Sequence, residues 1–156
     1  EKDWLQFIES RIVAMPGGDP NLNSLLQRRT DRQLVVIDFL DYLGLDFINQ
    51  HIQHIDIVFL SAKEAMLNDL REMSSNTGKM IVATLGEKGS VAFYNNRIYD
   101  QAAQPVEQII DTTGCGDGFQ AAFCIEWVRT NDLAKAMEAG SIAASNILAF
   151  MGGVRQ

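Results

Sequence analysis

Short apolar runs alternate with helical spacings along the first half of the chain. Runs of apolar residues at 11–15, 34–39, 56–60 and 80–85 are typical of buried strands. Between them, apolar side chains recur three or four residues apart from 21 to 26, from 43 to 54 and from 62 to 73, which predicts helices. A further helical spacing covers residues 1–10. Strands and helices in alternation predict a parallel α/β sheet with right-handed crossovers.

The pattern changes after residue 84. Apolar stretches at 90–94 and 97–99 flank Asn95 and Asn96, which favour a tight turn, so we expect an antiparallel hairpin. Two helices are predicted next, at 118–129 and 133–150. The second is rich in alanine and glycine, which permits close packing, and Gly152 and Gly153 are expected to end it.

Composition narrows the classes of partner. The chain has 156 residues, of which 47% are hydrophobic, and a net charge of −7, which is typical of one acidic globular domain. An acidic surface disfavours a nucleic-acid or anionic-membrane partner, and no apolar run is long enough for a transmembrane helix. Cys115 and Cys124 lie in a loop and the following helix, so we expect no disulfide and a cytoplasmic location.

The stretch 111–119, Asp-Thr-Thr-Gly-Cys-Gly-Asp-Gly-Phe, carries the strongest chemical signal. Gly114 and Gly116 precede a predicted helix and leave its first N–H groups uncovered, which together with the helix dipole favours an anion. Asp117 lies at the mouth of that site, where a carboxylate can accept a proton from a hydroxyl. This combination predicts phosphoryl transfer to an alcohol. The alternative is a glycine-rich turn in which Asp117 only caps the helix.

The same stretch resembles the Asp-Thr-x-Gly-Ala-Gly-Asp signature of the ribokinase-like (PfkB) carbohydrate kinases. The resemblance implies that Asp117 is the catalytic base and that the backbone of Gly114, Cys115 and Gly116 forms the anion hole. Cys115 departs from the usual alanine but is nearly as small. At a helix start its thiol has two interpretations, a reactive group with a lowered pKa or a packing residue, and the second is favoured.

A second motif, Thr-Leu-Gly-Glu-Lys-Gly at 84–89, follows a predicted strand at the end where α/β sheets bind ligands. It is similar to the nucleotide loop of the same family, which implies that Thr84, Gly86 and Gly89 contact the nucleotide. The alternative is a strand-to-hairpin turn that favours glycine. The resemblance also places Ser141 beside the adenine.

Two metal sites are implied by the resemblance. Ser61 and Glu64 stand where the family has Asn-x-x-Glu, so Glu64 is expected to hold Mg²⁺ through water and Ser61 to lie near the phosphates. A capping box at the start of a helix is the competing interpretation.

Asp111 and Thr113 match positions that bind a monovalent cation, usually K⁺. The remaining ligands in the family are backbone carbonyls near the chain end, which correspond to Ile147, Phe150 and Gly152.

The resemblance implies a three-layer ribokinase-like α/β fold with a mostly parallel central sheet. Residues 1–156 are expected to form a single C-terminal nucleotide-binding and catalytic portion, with the N-terminal half and the lid absent. Because the family recognises sugar largely with that half, we expect this portion alone to be inactive. Its uncovered sheet edge would favour aggregation or a homodimer.

The implied activity is ATP- and Mg²⁺-dependent phosphorylation of a sugar hydroxyl. Within the family, the chain looks most like fructoselysine kinase-type members, which indicates a fructosamine or ketose acceptor. A fructokinase, ribokinase or nucleoside kinase comes next. Two interpretations from other classes are a non-catalytic nucleotide-binding or regulatory module of the same fold and a structural α/β domain without a ligand.

Overall fold

A computed structural model describes residues 10–40 and 43–149. Within these residues there are six strands, β1 to β6, at Ile12–Pro16, Leu34–Asp38, Ile57–Ser61, Met80–Thr84, Ser90–Tyr94 and Arg97–Gln101. Five α-helices, α1 to α5, span Leu22–Arg28, Leu45–His51, Leu67–Thr77, Cys115–Thr130 and Leu133–Ile147. Short 3-10 turns cover Ile52–His54, Glu64–Met66 and Gly86–Lys88. The predicted strand–helix alternation is confirmed.

The first strands are parallel. β1 pairs with β2 from Ile12 opposite Leu34 to Pro16 opposite Asp38, and β2 pairs with β3 from Val36 opposite Ile57 onward. The three central residues of β2, 35–37, are each fully buried. Because successive side chains of a strand point to opposite faces, β2 is covered on both faces, as the continuous apolar run predicts.

The strand order in the sheet is β1-β2-β3-β4-β5-β6. β5 and β6 are neighbours joined by Asn95 and Asn96 alone, so they run antiparallel and the sheet is mixed. Both asparagines have positive φ angles, 52° and 59°, which is the type I′ geometry that matches the twist of a hairpin. The hairpin and the α/β fold class are therefore confirmed.

Helix boundaries differ from the predictions where local turn chemistry intervenes. Predicted helix 62–73 is wrong at both ends, because a 3-10 turn precedes α3 and the helix continues to Thr77. It stops at Gly78, whose left-handed φ of 71° lets its N–H bond the carbonyl of Ser74. The helix predicted from Gly118 begins at Cys115, because Gly114 is left-handed and the helical turn follows it at once.

The described residues divide into two compact units. The first comprises those up to Ala83 together with Phe93–Arg97. The second comprises Thr84–Ala92 and those from Ile98 onward. In the second unit, α5 packs closely on α4, because a Cβ on Gly140 would lie only 3.0 Å from the ring of Phe119.

Several predictions fall outside the described residues, namely the helix at 1–10 and the glycines at 152 and 153. The helix predicted to reach 150 ends at Ile147 in the structure. Among the described residues, no helix has the length and apolar character that crossing a membrane requires.

Two buried serines provide a test of the core. The hydroxyl of Ser74 lies 2.7 Å from the carbonyl oxygen of Lys79 and 3.0 Å from that of Phe93. The hydroxyl of Ser90 is buried and has no hydrogen-bond partner among the described residues. Ser74→Ala should lower the free energy of unfolding by about 1 kcal/mol, whereas Ser90→Ala should leave it unchanged or raise it by about 1 kcal/mol. Urea unfolding of both variants measures this difference, and an equal loss in the two would contradict it.

Candidate active site

The loop that leads into α4 is folded by its own side chains. Oδ1 of Asp111 accepts hydrogen bonds from the backbone N–H of Thr113 at 2.9 Å and from its hydroxyl at 2.8 Å. The N–H of Cys115 donates to the carbonyl of Thr112 at 3.3 Å. Gly114 then turns the chain with a φ of 81°, a conformation that side-chain-bearing residues rarely adopt. These contacts bring the chain into the helix with its first turn open.

The first turn of α4 leaves free donors. The helical ladder starts with Gly118, whose N–H bonds the carbonyl of Gly114 at 2.9 Å. Within residues 10–40 and 43–149, the N–H groups of Gly116 and Asp117 have no hydrogen-bond partner, and both residues are exposed. At the positive end of a helix of sixteen residues, such donors suit an anion.

The carboxylate of Asp117 lies in the same turn, is exposed and bonds no described residue. The capping position belongs to Gly114, and no side chain caps the helix. The interpretation of Asp117 as a helix cap is therefore wrong. An unengaged carboxylate beside open N–H groups can accept a proton close to a bound anion.

The two glycines of the loop at 84–89, Gly86 and Gly89, have different surroundings. The N–H of Leu85 bonds the carbonyl of Gly89 at 2.8 Å, which closes the loop around the 3-10 turn. A Cβ on Gly89 would overlap the backbone at Gln101, so packing requires glycine there. Gly86 has a φ of 63° and open space where its Cβ would be, so it leaves backbone accessible to a ligand. Thr84, the last residue of β4, is partly buried at the start of this loop.

Ser141 lies on α5 and is buried, and its hydroxyl donates to the carbonyl of Ala102 at 3.1 Å. Its hydroxyl hydrogen is thus engaged by the protein, and contact with an adenine would use its remaining oxygen lone pair.

The predicted cation residues Asp111 and Thr113 are in contact through the bonds described above. The N–H of Ile110 donates to the carbonyl of Leu148 at 2.8 Å, so the end of α5 lies beside the start of this loop. The structure thereby brings the region of Ile147 near Asp111. Phe150 and Gly152 lie outside the described residues.

Ser61 and Glu64 belong to the first compact unit. Ser61 is the exposed last residue of β3, and the exposed Glu64 begins the 3-10 turn before α3. Lys63 occupies the cap position of that turn without a side-chain cap bond. Among the described residues, no cluster of three histidine, cysteine or acidic side chains could hold a metal ion.

Sequence reasoning missed a groove in the second unit. An open groove of about 670 Å³ is lined by residues 105–108 and Ile110 on one side and by Ser145, Asn146 and Ala149 on the other. Its volume is in the range of small-molecule sites. One wall is formed by the irregular segment 105–110, which precedes the stretch 111–119. Hydrophobic periodicity predicts helices and strands but not the course of an irregular segment, so the sequence did not indicate this groove.

The alternative of a reactive Cys115 is contradicted. Burial, and secondly the negative charge of Asp111, raise the pKa of this thiol rather than lower it. Burial raises the pKa of Cys124 to about 12. Both cysteines are free, and the packing interpretation of Cys115 is favoured.

Comparison with known proteins identifies the family of the chain. The sequence matches the family described as "pfkB family carbohydrate kinase" over residues 5–153. The chain belongs to the pfkB family. It is 31% identical to fructoselysine 6-kinase of Shigella flexneri, over 77% of this chain and 47% of that protein. It is 30% identical to ribokinase of Arabidopsis thaliana, over 97% of this chain and 45% of that protein.

Solved structures share the pfkB fold of the chain. The structure of Arabidopsis thaliana ribokinase complexed with ribose and ATP superimposes with a TM-score of 0.81 at 22% identity, covering 97% of this chain and 54% of that one. The predicted ribokinase-like fold is thus confirmed. The chain spans about half the length of the curated relatives it matches.

The raised pKa of Cys115 gives a test by alkylation. In a Cys124→Ala background, the rate with iodoacetamide should rise with pH through a midpoint above that of an ordinary thiol, because burial and Asp111 disfavour the thiolate. Asp111→Asn should move the midpoint down, but only in part, since burial is the larger cause. Asp132→Asn, which removes an equal charge elsewhere, should leave it unchanged. A wild-type midpoint below the ordinary thiol value would contradict this account.

Proposed function

We propose that the chain is the nucleotide-binding and phosphoryl-transfer portion of an ATP-dependent carbohydrate kinase. The observation that carries the proposal is the first turn of α4, where the free carboxylate of Asp117 lies beside the open N–H groups of Gly116 and Asp117. Membership of the pfkB family supports the same chemistry. A non-catalytic nucleotide-binding or regulatory module of this fold is the alternative, and it would not require a free carboxylate at 117.

In the proposed reaction, a sugar hydroxyl hydrogen-bonds the carboxylate of Asp117. Asp117 takes the hydroxyl proton while the sugar oxygen forms a bond to the γ-phosphorus of ATP. The bond between that phosphorus and the β,γ-bridging oxygen breaks, and ADP leaves. The open N–H groups of Gly116 and Asp117 hold the phosphoryl oxygens by position and charge, and Gly114 and Cys115 form the turn that presents these groups.

The nucleotide is proposed to lie along the second unit. Gly86 offers open backbone at the end of β4, and the groove between residues 105–110 and α5 has room for a nucleoside. Asn146 lines the groove, and its side-chain amide, which has no hydrogen-bond partner among the described residues, supplies both a donor and an acceptor for a base edge. Thr84, Gly89 and Ser141 are proposed to contact the nucleotide as well.

Mg²⁺ would neutralise charge on the phosphates, and the exposed Glu64 would hold it through water, with Ser61 nearby. The carboxylate of Asp111 and the hydroxyl of Thr113 would hold a monovalent cation together with the backbone carbonyls of Phe150 and Gly152. These assignments rest on family membership and on the exposure or contact of each described side chain.

The acceptor is proposed to be a fructosamine or ketose hydroxyl. Three of the relatives of this chain are fructoselysine or fructosamine kinases, from Shigella flexneri, Escherichia coli and Bacillus subtilis. We further infer a cytoplasmic enzyme, consistent with two free cysteines, in which a homodimer is one assembly to test.

Replacement of the proposed base tests this function. In the complete gene product, Asp117→Asn should lower kcat by about 10²- to 10⁴-fold, because the amide cannot accept the proton. ADP release with fructoselysine measures the change, and calorimetric titration should show that MgATP still binds.

The matched control is Asp132→Asn, which changes an acidic residue at the start of α5 into another good helix cap. Its activity should equal that of the wild type. Full turnover by Asp117→Asn would refute the catalytic assignment. A wild type that binds MgATP but phosphorylates no sugar would instead favour the regulatory module.

A further inference from the structure

The second and third glycines of the motif face different surroundings. A Cβ on Gly116 would meet nothing within 4 Å, so this glycine leaves room for a ligand. A Cβ on Gly118 would overlap the δ-methyl of Ile147, so this position is filled by a side chain from the end of α5. Gly118 directly follows Asp117, and Ile147 therefore packs against the turn that carries the proposed base.

Leu148, the residue after Ile147, contacts the start of the loop that leads into α4. The carbonyl of Leu148 accepts the N–H of Ile110 at 2.8 Å, and Ile110 directly precedes Asp111. The consecutive residues Ile147 and Leu148 thus contact the chain immediately before and immediately after the stretch 111–117. Both contacts lie within the second compact unit.

We propose that Ile147 is a positioning residue, whose side chain on Gly118 fixes the direction in which the first turn of α4 presents its open N–H groups and Asp117. Leu148 anchors the start of the same loop through its carbonyl. The inference rests on the proposed function for its catalytic consequence, but the contact itself does not depend on any activity. The glycine at 118 is thereby explained by packing and the glycine at 116 by ligand access.

The contact predicts a specific rescue. Gly118 has no positive φ, and alanine is a better helix former than glycine, so Gly118→Ala should be harmful only through its overlap with Ile147. Ile147→Val removes the δ-methyl that the new Cβ would meet. The next atom of Ile147 would lie 3.5 Å from that Cβ, which is an ordinary contact. The double variant should therefore relieve the overlap.

The experiment compares Gly118→Ala, Ile147→Val and the double variant in the complete gene product, with MgATP and fructoselysine. Gly118→Ala should lower kcat on the order of 10²-fold with little change in KM for ATP, as a displacement of about 1 Å at a reacting group does. The double variant should regain most of that loss. Wild-type kcat in Gly118→Ala, or a double variant no better than the single one, would overturn the inference.

Leu133→Ala is the control for a general loss of stability, because Leu133 is buried at the opposite end of α5. It should lower the melting temperature without changing kcat of the folded protein. If Gly118→Ala does not fold, Ile147→Ala replaces it. That variant should lower kcat without raising KM for ATP, and a kcat equal to that of Leu133→Ala would overturn the inference.

A second readout separates this inference from the proposed function. In ¹H–¹⁵N spectra without ligand, Gly118→Ala should shift the amide signals of Gly116 and Asp117, and adding Ile147→Val should return them toward wild type. Unchanged signals in Gly118→Ala would overturn the inference even in an active enzyme. If the wild type transfers no phosphate to any sugar, the proposed function fails and these shifts alone decide whether Ile147 positions the turn.

Discussion

The left-handed turn at Gly114 is the constraint on which the candidate site depends. With a φ of 81°, it ends the irregular segment before α4 and allows helical bonding to begin at once, with the N–H of Gly118 on its own carbonyl. A side chain at this position would be strained. Because the helix begins directly after Gly114, no residue lies in position to accept the N–H groups of Gly116 and Asp117, which have no partners among the described residues. The carboxylate of Asp117 lies beside these two groups.

Contacts on both sides of Gly114 hold this turn in place. Asp111 binds Thr113 twice, which shapes the approach to Gly114 from the N-terminal side. On the other side, the close approach of Phe119 to Gly140 holds α4 and α5 together. The open N–H groups therefore lie at the start of one of two closely packed helices, and dipoles that are held in place in this way can stabilise charge without reorganising.

The regular elements could be predicted from the sequence because their signals are local and repeated. Continuous apolar runs at 34–39 and 80–85 indicated buried strands, and Asn95 with Asn96 indicated the hairpin turn. Boundaries were less predictable where one residue decides them. Gly78 ends α3 four residues after its predicted end at Met73, and Gly114 starts α4 earlier than the apolar spacing indicates. The candidate site could be predicted in part for the same reason, since the glycines and Asp117 form a contiguous motif. The packing of Ile147 on Gly118 joins residues far apart in sequence, and the direction of the Cys115 pKa shift depends on the folded surroundings, so neither has a local signal.

The chain spans about half the length of the curated relatives it matches, and we propose that its second unit is the part that handles the phosphates. The most direct test is a crystal structure of the complete gene product with MgADP and aluminium fluoride, which mimics the transferring phosphoryl group. The account predicts fluoride within hydrogen-bond distance of the N–H groups of Gly116 and Asp117, with the carboxylate of Asp117 facing the acceptor side. A phosphoryl mimic bound away from the first turn of α4 would contradict it.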